Sequence, residues 1–353
     1  MPSPPGKRTT WVEQSAGGGS GPAAGISDGP AQPANIAAHI HHRLVISTHR
    51  SALLIPQPMA GRGYPATSMT TRNIPFTRSD DHPNGTCDPA YGDPMQYDAL
   101  AAPFVSAAAR ALLKAARHLG HDPARSLFFE PACGTAPLLR ALRPRVGGVA
   151  GYDRSEAMLR AAVSIEPLLR RRLFRADLSQ ERLAHPAAIE GTVQVAFCLD
   201  NTIRHLHTAR QLRTHLGHMA RLLAPETKSR RGGIYVVGIG LLRSDEFVES
   251  ETIETGRLRY ADRRLLVRQI TTFVPHPPSR RFPDGREVAM TTRLCGEQTA
   301  LGRYTLACWS PERFLGCVKA AGLHLRMTMD DRGRPCTLTP GYCWLILGRI
   351  PQH

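Results

Sequence analysis

Residues 127–139 read LFFEPACGTAPLL: three apolar residues, an acid, a turn of small residues, and a second apolar run opened by a proline. A short continuous apolar run is the signature of a strand covered on both faces. The acid Glu130 falls where that strand ends. The residues that follow, Ala132, Cys133, Gly134, Thr135 and Ala136, are small enough to let a ligand approach the backbone. The run from 136 to 142 then carries the spacing of a helix, whose N-terminus favours negative charge.

The same pattern recurs downstream. VGGVAGYD (146–153) predicts a strand and SEAMLRAAVSI (155–165) a helix. RLFRADL (172–178) and TVQVAFCLD (192–200) predict two further strands. TARQLRTHLGHMARLLA (208–224) predicts a helix opened by a capping box from Thr208 to Gln211, and GGIYVVGIG (232–240) a fifth strand. Upstream, YDALAAPFVSAAARALLKAARHLG predicts a helix stopped by Gly120. Strands alternating with helices imply a doubly wound, mostly parallel α/β sheet. Residues 241–308 break the alternation with RLRYA, RLLVRQITTFV, REVAMTTRL and RYTLACW, which read as antiparallel strands with one wet face. WSPERFLGCVKAAGLHLRMTMD (309–330) gives a helix capped by Ser310 and Pro311 and then a strand. YCWLILGRI (342–350) closes the chain antiparallel to that strand.

Composition sets wider bounds. The 353 residues are 42% apolar, enough for one packed domain and a tail, and no run approaches about 18 consecutive apolar residues. The eight cysteines are scattered without a C-x-x-C pair, which argues for reduced thiols and a cytoplasmic setting rather than a disulfide framework or a zinc site. The formal charge of +16 invites a nucleic-acid reading, but the arginines are spread through every segment without interleaved aromatics. Residues 1–90 are rich in Gly, Pro, Ser and Asp. They read as a disordered extension, a targeting segment or sequence upstream of the true start. Residues 91–350 are then the folded domain, with 241–308 as a β-rich insert.

In open parallel sheets ligands bind outside the carboxyl ends of the strands. Glu130, Asp153, Asp177, and Asp200 with Asn201 all fall at such ends. A dinucleotide would need G-x-G-x-x-G after the first strand, whereas only Gly134 is glycine here, and Glu130 would repel a pyrophosphate. A cationic ligand with a diol near Asp153 suits these charges.

At this point the chain resembles the class I S-adenosylmethionine-dependent methyltransferases. EPACGTAPLL resembles their first motif and GYDRSEAML their second. RADL resembles the adenine-side motif, and FCLDNTIRHL with HMARLLAP and GGIYVV resembles the stretch through the fourth and fifth strands. The resemblance covers about residues 97–350 and implies a seven-stranded Rossmann-like sheet with an antiparallel insert over its carboxyl edge. It implies S-adenosylmethionine as the cofactor. Glu130 and the backbone of Ala132, Cys133, Gly134 and Thr135 would hold its methionine end, and Asp153, beside Arg154, its ribose. Met158, Asp177 and Leu178 would meet the adenine, and Asp200 would face the methyl group. Tyr97 would cover the site, and Asn201 and His205 would lie on the acceptor side.

The resemblance implies methyl transfer to a small molecule. An RNA or protein methyltransferase and a non-catalytic nucleotide-binding α/β protein are the competing readings. Two departures stand out: the family usually carries glycine where this chain has Ala132 and Ala136, and ETKSRR (226–231) splits the usual turn before the fifth strand. Each site residue also has an ordinary reading. Asp153 would cap a helix, Asn201 would form a turn, and Arg257, Arg259, Tyr260 and Arg268 would be exposed strand charges.

Overall fold

The computed structural model describes residues 92–180, 189–227, 231–241, 248–260, 263–338 and 341–350. The readings of residues 1–90 therefore lie outside the described residues, as do residues 228–230 of the ETKSRR insertion.

Asp93 opens helix α1 (Pro94–His118) by accepting from the N–H groups of Met95 and Gln96, and the chain leaves the helix through Gly120 at φ 81°. Strand β1 (Leu127–Pro131) follows, then α2 (Pro137–Leu142), β2 (Gly148–Asp153), α3 (Glu156–Ile165) and β3 (Leu173–Arg175). Next come β4 (Val195–Cys198), α4 (Ala209–Leu222) and β5 (Ile234–Leu241). The Thr208–Gln211 capping box closes in both directions, as its sequence predicts. After the four strands of the insert, α5 (Pro311–Ala320) starts on the Ser310 cap and is followed by β10 (Leu323–Met329), β11 (Pro335–Cys336) and β12 (Gly341–Arg349).

The main sheet has the order β11-β10-β12-β5-β4-β1-β2-β3. Strands β1 to β5 pair in parallel, and β12 runs antiparallel to both of its neighbours, β5 and β10. The sheet has eight strands rather than the seven expected, because the two-residue β11 folds back on the edge of β10. The expected strand over 172–178 shrinks to three residues. It is an edge strand paired only with β2, and at Asp177 the chain turns back on itself through a bond to the Ser179 N–H.

Two apolar layers flank the sheet. One packs Leu212, Leu216 and Met219 of α4 and Phe314 and Val318 of α5 against Phe129, Tyr152 and Leu345. The other packs Leu112, Leu113 and Ala116 of α1 with Leu139 and Leu159 against Phe128, Phe197 and Trp344. By length and composition α1 is apolar enough to cross a membrane, which the sequence reading did not anticipate; its apolar residues Ala99, Leu100 and Leu112 are buried within the protein.

The insert is a second sheet in the order β6-β7-β8-β9: β6 (Ser250–Tyr260), β7 (Arg263–His276), β8 (Arg286–Cys295) and β9 (Gln298–Ala307), all antiparallel. It is anchored at two places. Leu258, Val267 and Cys295 pack on Ala99 and Leu100 of α1. At the other end Arg204, in the turn after β4, is buried against the insert: its guanidinium lies 2.5 Å from Glu287 and donates to the Ala307 carbonyl at 2.8 Å. The insert therefore meets the main sheet at the carboxyl end of β4. Arg257, Arg259 and Arg268 are exposed on its outward face.

Candidate functional site

The turn after β1 is built from left-handed backbone. Ala132, Gly134 and Ala136 lie at φ 53°, 55° and 56°. Glycine adopts this region freely and alanine at a cost. The other described non-glycine residues at positive φ are Asp200 and Asn201, in the turn after β4. All the non-glycine strain among the described residues thus sits at two adjacent strand ends. Such strain persists where the surroundings fix it, and it gathers at functional sites.

Several side chains converge on the first of these turns. The Gly134 N–H donates to Asp153 Oδ2 at 2.8 Å, and the other oxygen of Asp153 accepts from the Ser155 N–H at 2.8 Å. Asp153 therefore ties the loop to the residue before α3; the helix cap itself is Ser155, whose hydroxyl accepts from the Met158 N–H, and each oxygen of Asp153 keeps one further lone pair. Tyr97 of α1 lies over the loop: a β-carbon at Gly134 would come within 2.9 Å of the Tyr97 ring. One residue along α1, the Asp98 carboxylate accepts from the Thr135 hydroxyl at 2.6 Å and pairs with Arg140 of α2. The Cys133 N–H donates to the Tyr152 carbonyl at 2.9 Å.

Glu130 lies in register with Gly151 of β2, two residues from Asp153. It is nine-tenths buried, and its Oε2 has no hydrogen-bond partner. Burial first, and the Asp153 charge second, push its carboxyl well above the ordinary value of 4.5. Burial also raises Asp153, against the lowering effect of its two backbone donors. A buried carboxylate oxygen with no donor is costly. A cation brought to it would relieve that cost and lower the pKa.

The remaining candidates divide. Met158 is fully buried at the first turn of α3, and Leu178 packs on the core. Asp177 accepts from both the N–H and the hydroxyl of Ser179 at 2.7 Å, so one of its oxygens is committed locally. Asp200 is exposed, and its N–H donates to the Tyr342 hydroxyl at 3.0 Å. The Asn201 side-chain oxygen accepts from the Gly240 N–H at 2.7 Å, which clamps the turn to β5 and holds the side chain along that strand.

His205 is half-buried with its ring 5.7 Å from that of Tyr304. Burial, and then the positive charges of Arg154, His207 and Arg204, push its pKa down to about 4, while Asp177 pulls the other way. Arg154 and Asp177 also act on Asp153. The ends of β2 and β3 and the turn after β4 therefore share one electrostatic neighbourhood.

Sequence reasoning missed Asp98, Tyr304 and Tyr342. Asp98 adjoins Tyr97 and was open to discovery; the other two come from β9 and β12 and reach the site only through the fold.

No family profile matches the sequence, and no curated protein matches it. Solved structures do. KedS8, a sugar N-methyltransferase from Streptoalloteichus sp ATCC 53650, matches at 20% identity over 70% of this chain and 88% of its own, with a TM-score of 0.50. DesVI of Streptomyces venezuelae matches at 19% over 70% and 93%, with a TM-score of 0.49. CalS10, an amino pentose methyltransferase from Micromonospora echinaspora solved with S-adenosylmethionine bound, matches at 17% over 69% and 91%, with a TM-score of 0.49. Identities this low speak to architecture: the chain has the fold of the class I S-adenosylmethionine-dependent methyltransferases.

Proposed function

We propose that the chain is an S-adenosylmethionine-dependent methyltransferase acting on a small-molecule acceptor. The observation that carries this reading is the buried, donorless oxygen of Glu130 beside Asp153, above a strained small-residue turn. A dinucleotide pyrophosphate would add negative charge there, whereas an adenosyl group bearing a sulfonium and an ammonium supplies the missing positive charge.

In this reading Glu130 and the 132–135 backbone hold the amino-acid end, and Asp153 accepts from the ribose hydroxyls. Met158, Asp177 and Leu178 border the adenine, with Arg154 at the rim. When bound, the group supplies a methyl carbon made electrophilic by the sulfonium. The protein's own task is alignment and exclusion of water. Tyr97 covers the loop, and the insert, seated through Arg204 and Glu287, covers the edge beside β4. A covered edge favours a small acceptor over a duplex. His205, neutral at physiological pH, accepts a hydrogen bond from the acceptor, and Asp200 and Asn201 shape the floor of the site.

Thermal-shift titrations with S-adenosylhomocysteine and with NAD test the class of ligand. A rise in Tm with the first alone supports the reading; a rise with NAD alone refutes it.

A further inference from the structure

The turn after β1 leads into α2 without the usual start of a helix. A helix ordinarily begins on a residue in extended backbone whose side chain accepts from the first N–H groups. Before α2 that place is taken by Ala136, which is left-handed at φ 56° and makes no side-chain cap bond. For alanine this conformation is unfavourable, and it persists only where neighbours hold it. Asp98 of α1 supplies the hold from outside the loop. Its Oδ1 accepts from the hydroxyl of the fully buried Thr135 at 2.6 Å and pairs with the Arg140 guanidinium one turn into α2. One carboxylate oxygen thus joins the end of the loop to the first turn of the helix. The Gly134 N–H is fixed separately by Asp153. The loop is therefore gripped from two sides, by the tip of β2 at Gly134 and by α1 at Thr135.

A hold of this kind requires that Asp98 itself be fixed, and two features of α1 fix it. Ala99 and Leu100, the next residues of the helix, are buried with Leu258, Val267 and Cys295 of the insert. Pro103 lies inside the helix and has no N–H to give the Ala99 carbonyl four residues before it. That carbonyl faces Gly256 of β6, where a β-carbon would come within 2.0 Å of its oxygen. Backbone meets backbone at this point, a closeness that needs glycine. The Asp98 turn of α1 is therefore set against the insert on one side and against the loop on the other, with Tyr97 beside it over Gly134.

We propose that Asp98 is a positioning residue for the methyl donor: through the Thr135 hydroxyl and Arg140 it holds the turn after β1 in the form that receives the donor's amino-acid end. The inference rests on the donor site proposed above. A loop already in its binding form leaves the ligand less ordering to bring about. Removing the hold should therefore show in affinity, beyond any change in stability.

The test is titration calorimetry of the full chain with S-adenosylhomocysteine, on wild type, Asp98→Ala, Thr135→Val, Thr135→Ser and the double variant Asp98→Ala/Thr135→Val. Loss of a hydrogen bond to a charged group should weaken binding about tenfold in Asp98→Ala and in Thr135→Val. Thr135→Ser keeps the hydroxyl and should bind as wild type does. The double variant should bind no more weakly than the worse single variant, because both substitutions remove the same bond. Urea midpoints identify any variant that fails to fold. Thr135→Val leaves the Asp98–Arg140 pair in place, so its comparison with Thr135→Ser decides the matter if Asp98→Ala does not fold. Lower midpoints with unchanged affinities would make the contact merely structural and overturn the inference. Effects that add in the double variant, or a Thr135→Ser as weak as Thr135→Val, would overturn it too. A wild type that does not bind the ligand refutes the donor site itself, and the inference with it.

Discussion

The backbone N–H of Gly134 donates to the carboxylate of Asp153 at 2.8 Å, joining the turn after β1 to the tip of β2. The bond holds the loop in its left-handed form before any ligand arrives. It also sets Asp153 close enough to Glu130 for its charge to add to the cost of burying the Glu130 carboxylate, and that cost yields the first prediction.

Glu130→Gln should stabilise the ligand-free protein at neutral pH while weakening its binding of S-adenosylmethionine. Because burial raises the Glu130 pKa in the folded state, the folded protein binds this proton more tightly than the unfolded chain does. Glu130 thus lowers stability as pH rises from its ordinary value of 4.5 through the folded value. Chemical denaturation from pH 5 to 8 should show the wild type losing ground to the variant as pH rises. Parallel curves would contradict it.

Ala132→Gly should stabilise the protein by about 0.5–1 kcal/mol, the left-handed penalty less the added entropy of an unfolded glycine. A glycine in a loop usually lowers stability, so the sign is diagnostic. A lower urea midpoint for the variant would show that the turn is unstrained.

Glu287→Ala should cost about 3 kcal/mol, since it strands the buried Arg204 guanidinium with its carboxylate partner gone. The insert is anchored through this pair, so KM for the acceptor should rise more than KM for the methyl donor. Equal changes in both would place the insert outside the acceptor site.

His205 should leave no inflection near its ordinary 6.5 in the pH–rate profile, because its pKa is held at about 4 and the ring stays neutral from pH 6 to 8. A break near 6.5 that disappears in His205→Gln would contradict this.

Much of the architecture is legible in the sequence, because buried parallel strands and capped helices leave local signals. Val195–Cys198 and Ile234–Leu241 are continuous apolar runs, and Thr208 and Gln211 lie three residues apart. The acids at the strand tips follow from the same logic. Edges are harder to read. β3 shortens because its length depends on pairing with β2 alone, and β11 is two residues of return chain. Contacts made across the fold leave no local trace. Tyr342 meets Asp200 only once β12 has docked beside β5, and Glu287 meets Arg204 from a different sheet. Asn201 has the look of an acceptor-side residue in sequence, yet its oxygen is bonded to the backbone of β5.

The central claim is that Glu130 and Asp153 together grasp an adenosyl group carrying positive charge. Titration calorimetry with S-adenosylmethionine on wild type and Asp153→Ala tests it most directly. Loss of charge-assisted hydrogen bonds should weaken binding by about tenfold or more, in a variant that still unfolds cooperatively. Unchanged affinity in that variant, or no detectable binding by the wild type, would contradict the account.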